Sequence, residues 1–129
     1  MRLEKITLHP FAGFINKTFE FESGLNIILG ENEAGKSTLT KAIIMVLFER
    51  TNQTAAAEKK LLENLLPANG GDVIAVDLEF LFENQRYFLK KQWGKTKLSS
   101  FNKINEAPIT DPNEVQNLLD QILIQNKLV

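Results

Sequence analysis

Leu25-Asn26-Ile27-Ile28-Leu29-Gly30-Glu31-Asn32-Glu33-Ala34-Gly35-Lys36-Ser37-Thr38 joins a short, mostly apolar run to a glycine-bounded turn and then to residues that favour helix. The apolar run suits a strand covered on both faces. Glycines at 30 and 35 let the backbone turn tightly and aim successive N–H groups at one point, and a helix beginning there adds its positive dipole end. The pattern predicts an anion cradle of the P-loop type. Lys36 then reaches the β- and γ-phosphates as a point charge, Ser37 supplies a hydroxyl to Mg²⁺, and Thr38 adds an α-phosphate contact. The nucleotide site so predicted comprises Gly30, Asn32, Glu33, Ala34, Gly35, Lys36, Ser37 and Thr38, with Ser37 as the metal ligand and ATP and Mg²⁺ as cofactors. Average residue usage gives this spacing by chance in under about 1% of chains this long. The bland alternative is a glycine-rich strand-to-helix turn with an exposed lysine.

Outward from the motif, Ser37 to Arg50 reads as a helix, and Ala42-Ile43-Ile44-Met45-Val46-Leu47-Phe48 is apolar nearly all round, as in a helix packed inside a domain. Upstream, Leu3, Ile6 and Leu8 begin a strand, His9-Pro10-Phe11-Ala12-Gly13 interrupts it, and Thr18 to Glu22 alternates as an antiparallel partner. Downstream, Ala55 to Leu66 reads as a second helix ended by Pro67. Ile74, Val76, Leu78, Phe80 and Phe82 then share one strand face, opposite Asp77, Glu79 and Glu83, and Asn84-Gln85 turns into a partner strand from Arg86 to Trp93. A third strand is expected between Lys97 and Ile104. Asp111-Pro112-Asn113-Glu114 has the cap residue, first-turn proline and glutamate of a helix start, with Val115, Leu118, Leu119 and Ile122 following at helical spacing. Helical character persists to the last residues, which suggests that the natural chain continues.

The 129 residues, 43% of them hydrophobic, suffice for one core and hence one domain or a large piece of one. The net charge of −1, from 15 basic and 16 acidic residues, gives no global reason for a polyanionic partner. With no cysteine and one histidine, disulfides and thiolate metal sites are excluded and a zinc site is not expected. The start lacks a signal-peptide pattern and no 18-residue apolar run occurs, so a cytoplasmic setting without membrane insertion is expected.

Ile6-Thr7-Leu8-His9-Pro10-Phe11, together with Leu25 through Leu39, resembles the start of ABC-type ATPases of the SMC, SbcC, RecF and YhaN group, and Asn32-Glu33-Ala34-Gly35-Lys36-Ser37-Thr38 looks most like the SbcC/YhaN branch. Two strands before the P-loop strand depart from P-loop kinases, where the motif usually follows the first strand. The resemblance covers about the first 50 residues. It implies an α/β P-loop NTPase fold. Residues 1–129 would form the N-terminal lobe of a split ATP-binding head, with an antiparallel β-hairpin region packed on the P-loop helix. A coiled coil and a C-terminal lobe carrying the signature motif, Walker B carboxylates and switch histidine would lie elsewhere. It further implies ATP-driven head dimerisation, work on DNA in repair or chromosome maintenance, and in some members a nuclease partner. Family members often carry arginine after the phenylalanine that ends the first strand; Ala12 stands there instead, so no nucleotide contact is carried over to it.

Two stretches imitate the missing motifs. Val73-Ile74-Ala75-Val76-Asp77 looks like a Walker B strand, but alternation continues to Phe82 and Leu78 replaces the second carboxylate, so Asp77 reads as a solvated-face residue. Leu98-Ser99-Ser100-Phe101 lacks the signature glycines. His9 reads as a strand-end residue. Every charge between Arg86 and Lys103 is positive, with aromatics interleaved; DNA could bind such a face, but a solubilising rim with Tyr87, Leu89 and Trp93 turned inward is the preferred reading. No catalytic residue is assigned, so these residues alone are expected to bind ATP without turnover. A self-contained P-loop kinase or NTPase and a non-catalytic nucleotide-binding interaction module stay open beside the ATPase reading.

Overall fold

The computed structural model describes residues 1–21, 33–67 and 70–125, with the backbone alone for 33–36. Five strands, β1 (Arg2–Leu8), β2 (Lys17–Glu20), β3 (Val73–Phe82), β4 (Gln85–Gly94) and β5 (Leu98–Lys103), form one sheet in the order β2-β1-β3-β4-β5. Every neighbouring pair is antiparallel. Three helices accompany it: α1 (Glu33–Phe48), α2 (Ala55–Leu61) and α3 (Pro112–Gln125). The predicted strand at Leu25–Leu29 lies outside the described residues.

Alternation decides which sheet face is covered. Ile74, Val76, Leu78 and Phe80 of β3 and Tyr87, Leu89 and Trp93 of β4 are buried together. Leu3, Ile6 and Leu8 join them although the first two are an odd number of residues apart. A bulge between Leu3 and Lys5, where β1 advances two residues against one on β3, restores the phase. On this face α1 packs against β3 and β4, α3 packs against β5, and the two helices touch. Leu39, Ala42, Ile43, Met45, Val46 and Leu47 carry α1 into the core, and Val115, Leu119 and Leu123 do so for α3.

Several boundaries differ from the sequence expectation. The hairpin turn is Glu83-Asn84 and not Asn84-Gln85; both residues have positive φ, 51° and 62°, as a two-residue turn matched to strand twist requires. The second helix ends at Leu61, because Asn64 takes a left-handed conformation (φ 65°) and a tight turn delivers Leu62 and Leu65 to the core before Pro67 is reached. α1 starts at Glu33, about a turn earlier than expected, since Glu33, Ala34 and Lys36 are good helix formers. It also stops at Phe48, two residues short of Arg50.

Candidate nucleotide-binding site

Of the motif, Gly30, Glu31 and Asn32 lie outside the described residues, while Glu33, Ala34, Gly35 and Lys36 form the first turn of α1. Ser37 is exposed and Thr38 half-buried on the next turn, ahead of Leu39, which enters the core. The Ser37 hydroxyl thus stands at the solvent boundary near the helix's positive end, where an anion with its metal can approach.

The other end of α1 is fixed by side chains. A helix leaves its last carbonyls without intrahelical donors, and here three of the carbonyls in and just beyond that end accept side-chain donors from β4 and α3. Gln116 Nε2 on α3 donates to the Leu47 carbonyl at 2.9 Å, Lys91 Nζ on β4 to Glu49 at 2.9 Å, and the Trp93 indole to Arg50 at 2.9 Å. Thr51 and Ser99 close the same region through a buried hydroxyl pair 2.6 Å apart. The helix predicted to present the phosphate site is therefore held in direction by β4 and α3. Sequence reasoning missed this clamp. Lys91 and Gln116 are the residues it missed, and the available signals were phase: Lys91 alternates with Leu89 and Trp93, and Gln116 sits inside the apolar stripe of α3.

The imitators fall where expected. Asp77 projects from the open sheet face and meets His9 Nε2 at 3.1 Å, while His9 Nδ1 lies 2.9 Å from Asn16 Oδ1. This pair ties the 9–16 loop to β3. Leu98 to Phe101 lie within β5, with no helix start at that point.

The basic stretch needs one correction. Tyr87, Leu89 and Trp93 face the core, as the preferred reading required, and Phe101 does too, but Lys91 lies with them at 1% exposure and belongs to no surface patch. Lys97 pairs with Glu58 at 2.6 Å and Arg86 with Glu4 at 3.7 Å. Lys90 and Lys95 are left as its most open cations.

Outward from the core, α1 keeps an apolar stripe: Ile44 is 50% and Phe48 38% exposed, one turn apart and in line with exposed Lys41. No helix among the described residues is long and apolar enough to cross a membrane.

A family model described as an AAA domain matches residues 5–129. The chain is similar to a DNA double-strand break repair Rad50 ATPase of Sulfolobus acidocaldarius, 27% identical over 127 residues, which is 95% of this chain and 14% of that protein. It is likewise 27% identical over 124 residues to a DNA replication and repair protein RecF of Acetivibrio thermocellus, covering 95% of this chain and 31% of the relative. With a RecF of Listeria welshimeri it shares 37% identity over 54 residues, 42% of this chain and 15% of that protein. The chain thus spans less than a third to about a seventh of these relatives' lengths. The likeness extends the resemblance first carried by about 50 residues to nearly the whole chain, sheet and α3 included. The chain belongs to the AAA domain family, in the SMC/Rad50/RecF-like group of ABC-type ATPases.

Proposed function

We propose that this chain is the nucleotide-binding lobe of a composite ATPase head. Gly30 to Thr38 hold ATP-Mg²⁺, Lys36 sets the β- and γ-phosphates, and Ser37 occupies one metal position. The observation that carries the reading is the phosphate-cradle motif at the start of α1, in a chain matched over residues 5–129 by an AAA domain. Family membership supports hydrolysis as the activity of the whole protein. The repair functions named for the Rad50 and RecF relatives support DNA in the cytoplasm as the object of its work.

The reading divides labour between lobes. Binding groups are gathered in the motif, whereas turnover needs a group to orient the attacking water and carboxylates to complete the Mg²⁺ shell. A second lobe of the same protein supplies these, and a second head buries the exposed side of the nucleotide. ATP thereby acts as an adhesive between heads, and hydrolysis releases it. The Ile44–Phe48 stripe supports this division, since α1 offers an apolar surface beyond what its own sheet and α3 cover. A nuclease partner is consistent with the same architecture.

Steady-state phosphate release from the chain alone, and from the chain joined to its complementary lobe, tests the proposal. Activity should rise at least tenfold on joining and disappear with Lys36→Ala. Turnover by the chain alone at a rate of about 1 s⁻¹ or more, lost in Lys36→Ala, would place a complete active site within these residues and overturn the division.

A further inference from the structure

Lys91 is closed off from the surface between β4, the end of α1 and α3. Its ammonium nitrogen meets two neutral acceptors, the Glu49 carbonyl at 2.9 Å and Gln116 Oε1 at 2.6 Å. Among the described residues it forms no ion pair with a carboxylate. Dipolar partners recover only part of the hydration that a buried ammonium loses. A neutral amine, by contrast, still has two hydrogens, enough for both acceptors, and carries no charge to desolvate.

The charged groups turned toward it are few. Asp120 on α3 and Glu49 at the end of α1 favour the ammonium, and Arg50 opposes it. β5 brings Ser99, whose hydroxyl is engaged by Thr51, and β3 brings the apolar Val76. Burial outweighs the two carboxylates and lowers Lys91 to about 7.

Of the elements that cover Lys91, α3 is the one that can leave without opening the sheet or displacing α1, although doing so uncovers Val115, Leu119 and Leu123. β4 lies inside the sheet and α1 spans the core, whereas α3 rests on β5 and touches α1. Gln116 links it to both Lys91 and the Leu47 carbonyl. Along its other side, a half-open pocket of about 170 Å³, lined by Leu118 and Ile122 of α3, by Tyr87, Phe101 and Ile109, and at its mouth by Lys103 and Glu106, already admits solvent between α3 and β5. Lifting α3 removes Gln116 from Lys91 and brings water to the ammonium.

We propose that α3 is a proton-gated flap: neutral Lys91 keeps it on the end of α1, and protonation of Lys91 shifts it toward an open form in which the ammonium is hydrated. The gate goes beyond the nucleotide reading and does not depend on it.

The sign follows from linkage. In the open form Lys91 returns to its ordinary 10.5, against about 7 when closed, so opening takes up a proton in the window between these values. The opening constant therefore falls by up to about tenfold per pH unit as pH rises through that window, and is level below it.

Native-state amide exchange of α3 at pH 7.0 and 8.5, corrected for intrinsic exchange rates, reads this directly. Opening should be about fifteenfold rarer at the higher pH, and Lys91→Met should abolish the difference. Asp120→Asn is the second variant: removing a carboxylate that favours the ammonium should extend the pH-dependent window below 7, a change of shape that mere loosening of α3 does not produce. A profile in the parent no steeper than in Lys91→Met, or a window unmoved in Asp120→Asn, overturns the gate.

Discussion

One proton separates an amine from an ammonium, yet several kcal/mol of hydration ride on it when the group is buried, so Lys91 makes the stability of the whole molecule depend on pH. Unfolding exposes Lys91 and restores its ordinary 10.5, against about 7 in the folded chain. The unfolded state thus binds more protons between those values, and stability rises with pH there. From pH 7 to 9 the contribution is about 2 kcal/mol, to be read as the difference in urea midpoints between parent and Lys91→Met, with the variant lacking the rise. At this scale the sequence was partly legible. The apolar positions of β4 could be read from alternation, and Trp93, Leu89 and Tyr87 lie where it put them. The same alternation put Lys91 among them. Residue type argued for the surface, and phase prevailed, because an amine that can satisfy the Glu49 carbonyl beyond the end of α1 is a tolerable core side chain.

Elements were legible where a period repeats and uncertain where a few residues choose the end. The β3–β4 pair runs in unbroken register from Val73↔Gly94 to Phe82↔Gln85, and ten residues of alternation on one side already demanded it. Its turn was misplaced by one residue, because Asn84 is the preferred left-handed residue and Glu83 gives no sign of sharing that conformation. Glu83 sits at φ 51°, where a residue other than glycine or asparagine is strained. The pair Glu83→Asn with Asn84→Gly supplies the residues this turn favours, and should raise unfolding free energy by about 1 kcal/mol in chemical denaturation. An unchanged or lower midpoint would show that the turn is not of this kind. At the far end of β4, Gly94 at φ 119° lies against the Asp72 carbonyl and Val73 Cα where a Cβ would go. The sequence displays the glycine there, but the close approach that requires it is visible only in three dimensions. The end of α2 was hidden for a related reason: Pro67 was conspicuous, whereas Asn64 ended the helical path first.

For the molecule as a whole, the order of elements and the covered sheet face could be anticipated from pattern, and family membership bears out the resemblance read at the phosphate motif. The clamp at the end of α1 could not, since it joins residues such as Leu47 and Gln116, 69 positions apart, whose meeting depends on how β4, β5 and α3 pack. The surface charge also takes its meaning from the assembled fold. A stretch that is uniformly positive in sequence is partly neutralised by Glu58 and Glu4 from other elements, and loses Lys91 to the core. Duplex DNA should accordingly bind this chain weakly, with a Kd above about 1 μM near physiological salt and a steep salt dependence carried by Lys90 and Lys95. Fluorescence anisotropy of the parent and of a Lys90→Gln/Lys95→Gln variant checks this; sub-micromolar binding that survives physiological salt would make the face a dedicated DNA site. The central claim is narrower, that the Gly30–Thr38 motif holds a nucleoside triphosphate. Lys36 stands in the first turn of α1, and as a charge assigned to the phosphates it contributes electrostatics and not packing, so its removal should spare the fold. Calorimetric titration of ATP-Mg²⁺ into the parent and into Lys36→Ala, with matched thermal unfolding, tests that claim most directly. Saturable binding by the parent, and its loss in a variant that unfolds at the same temperature, is the predicted result; equal affinity in the two proteins would contradict it.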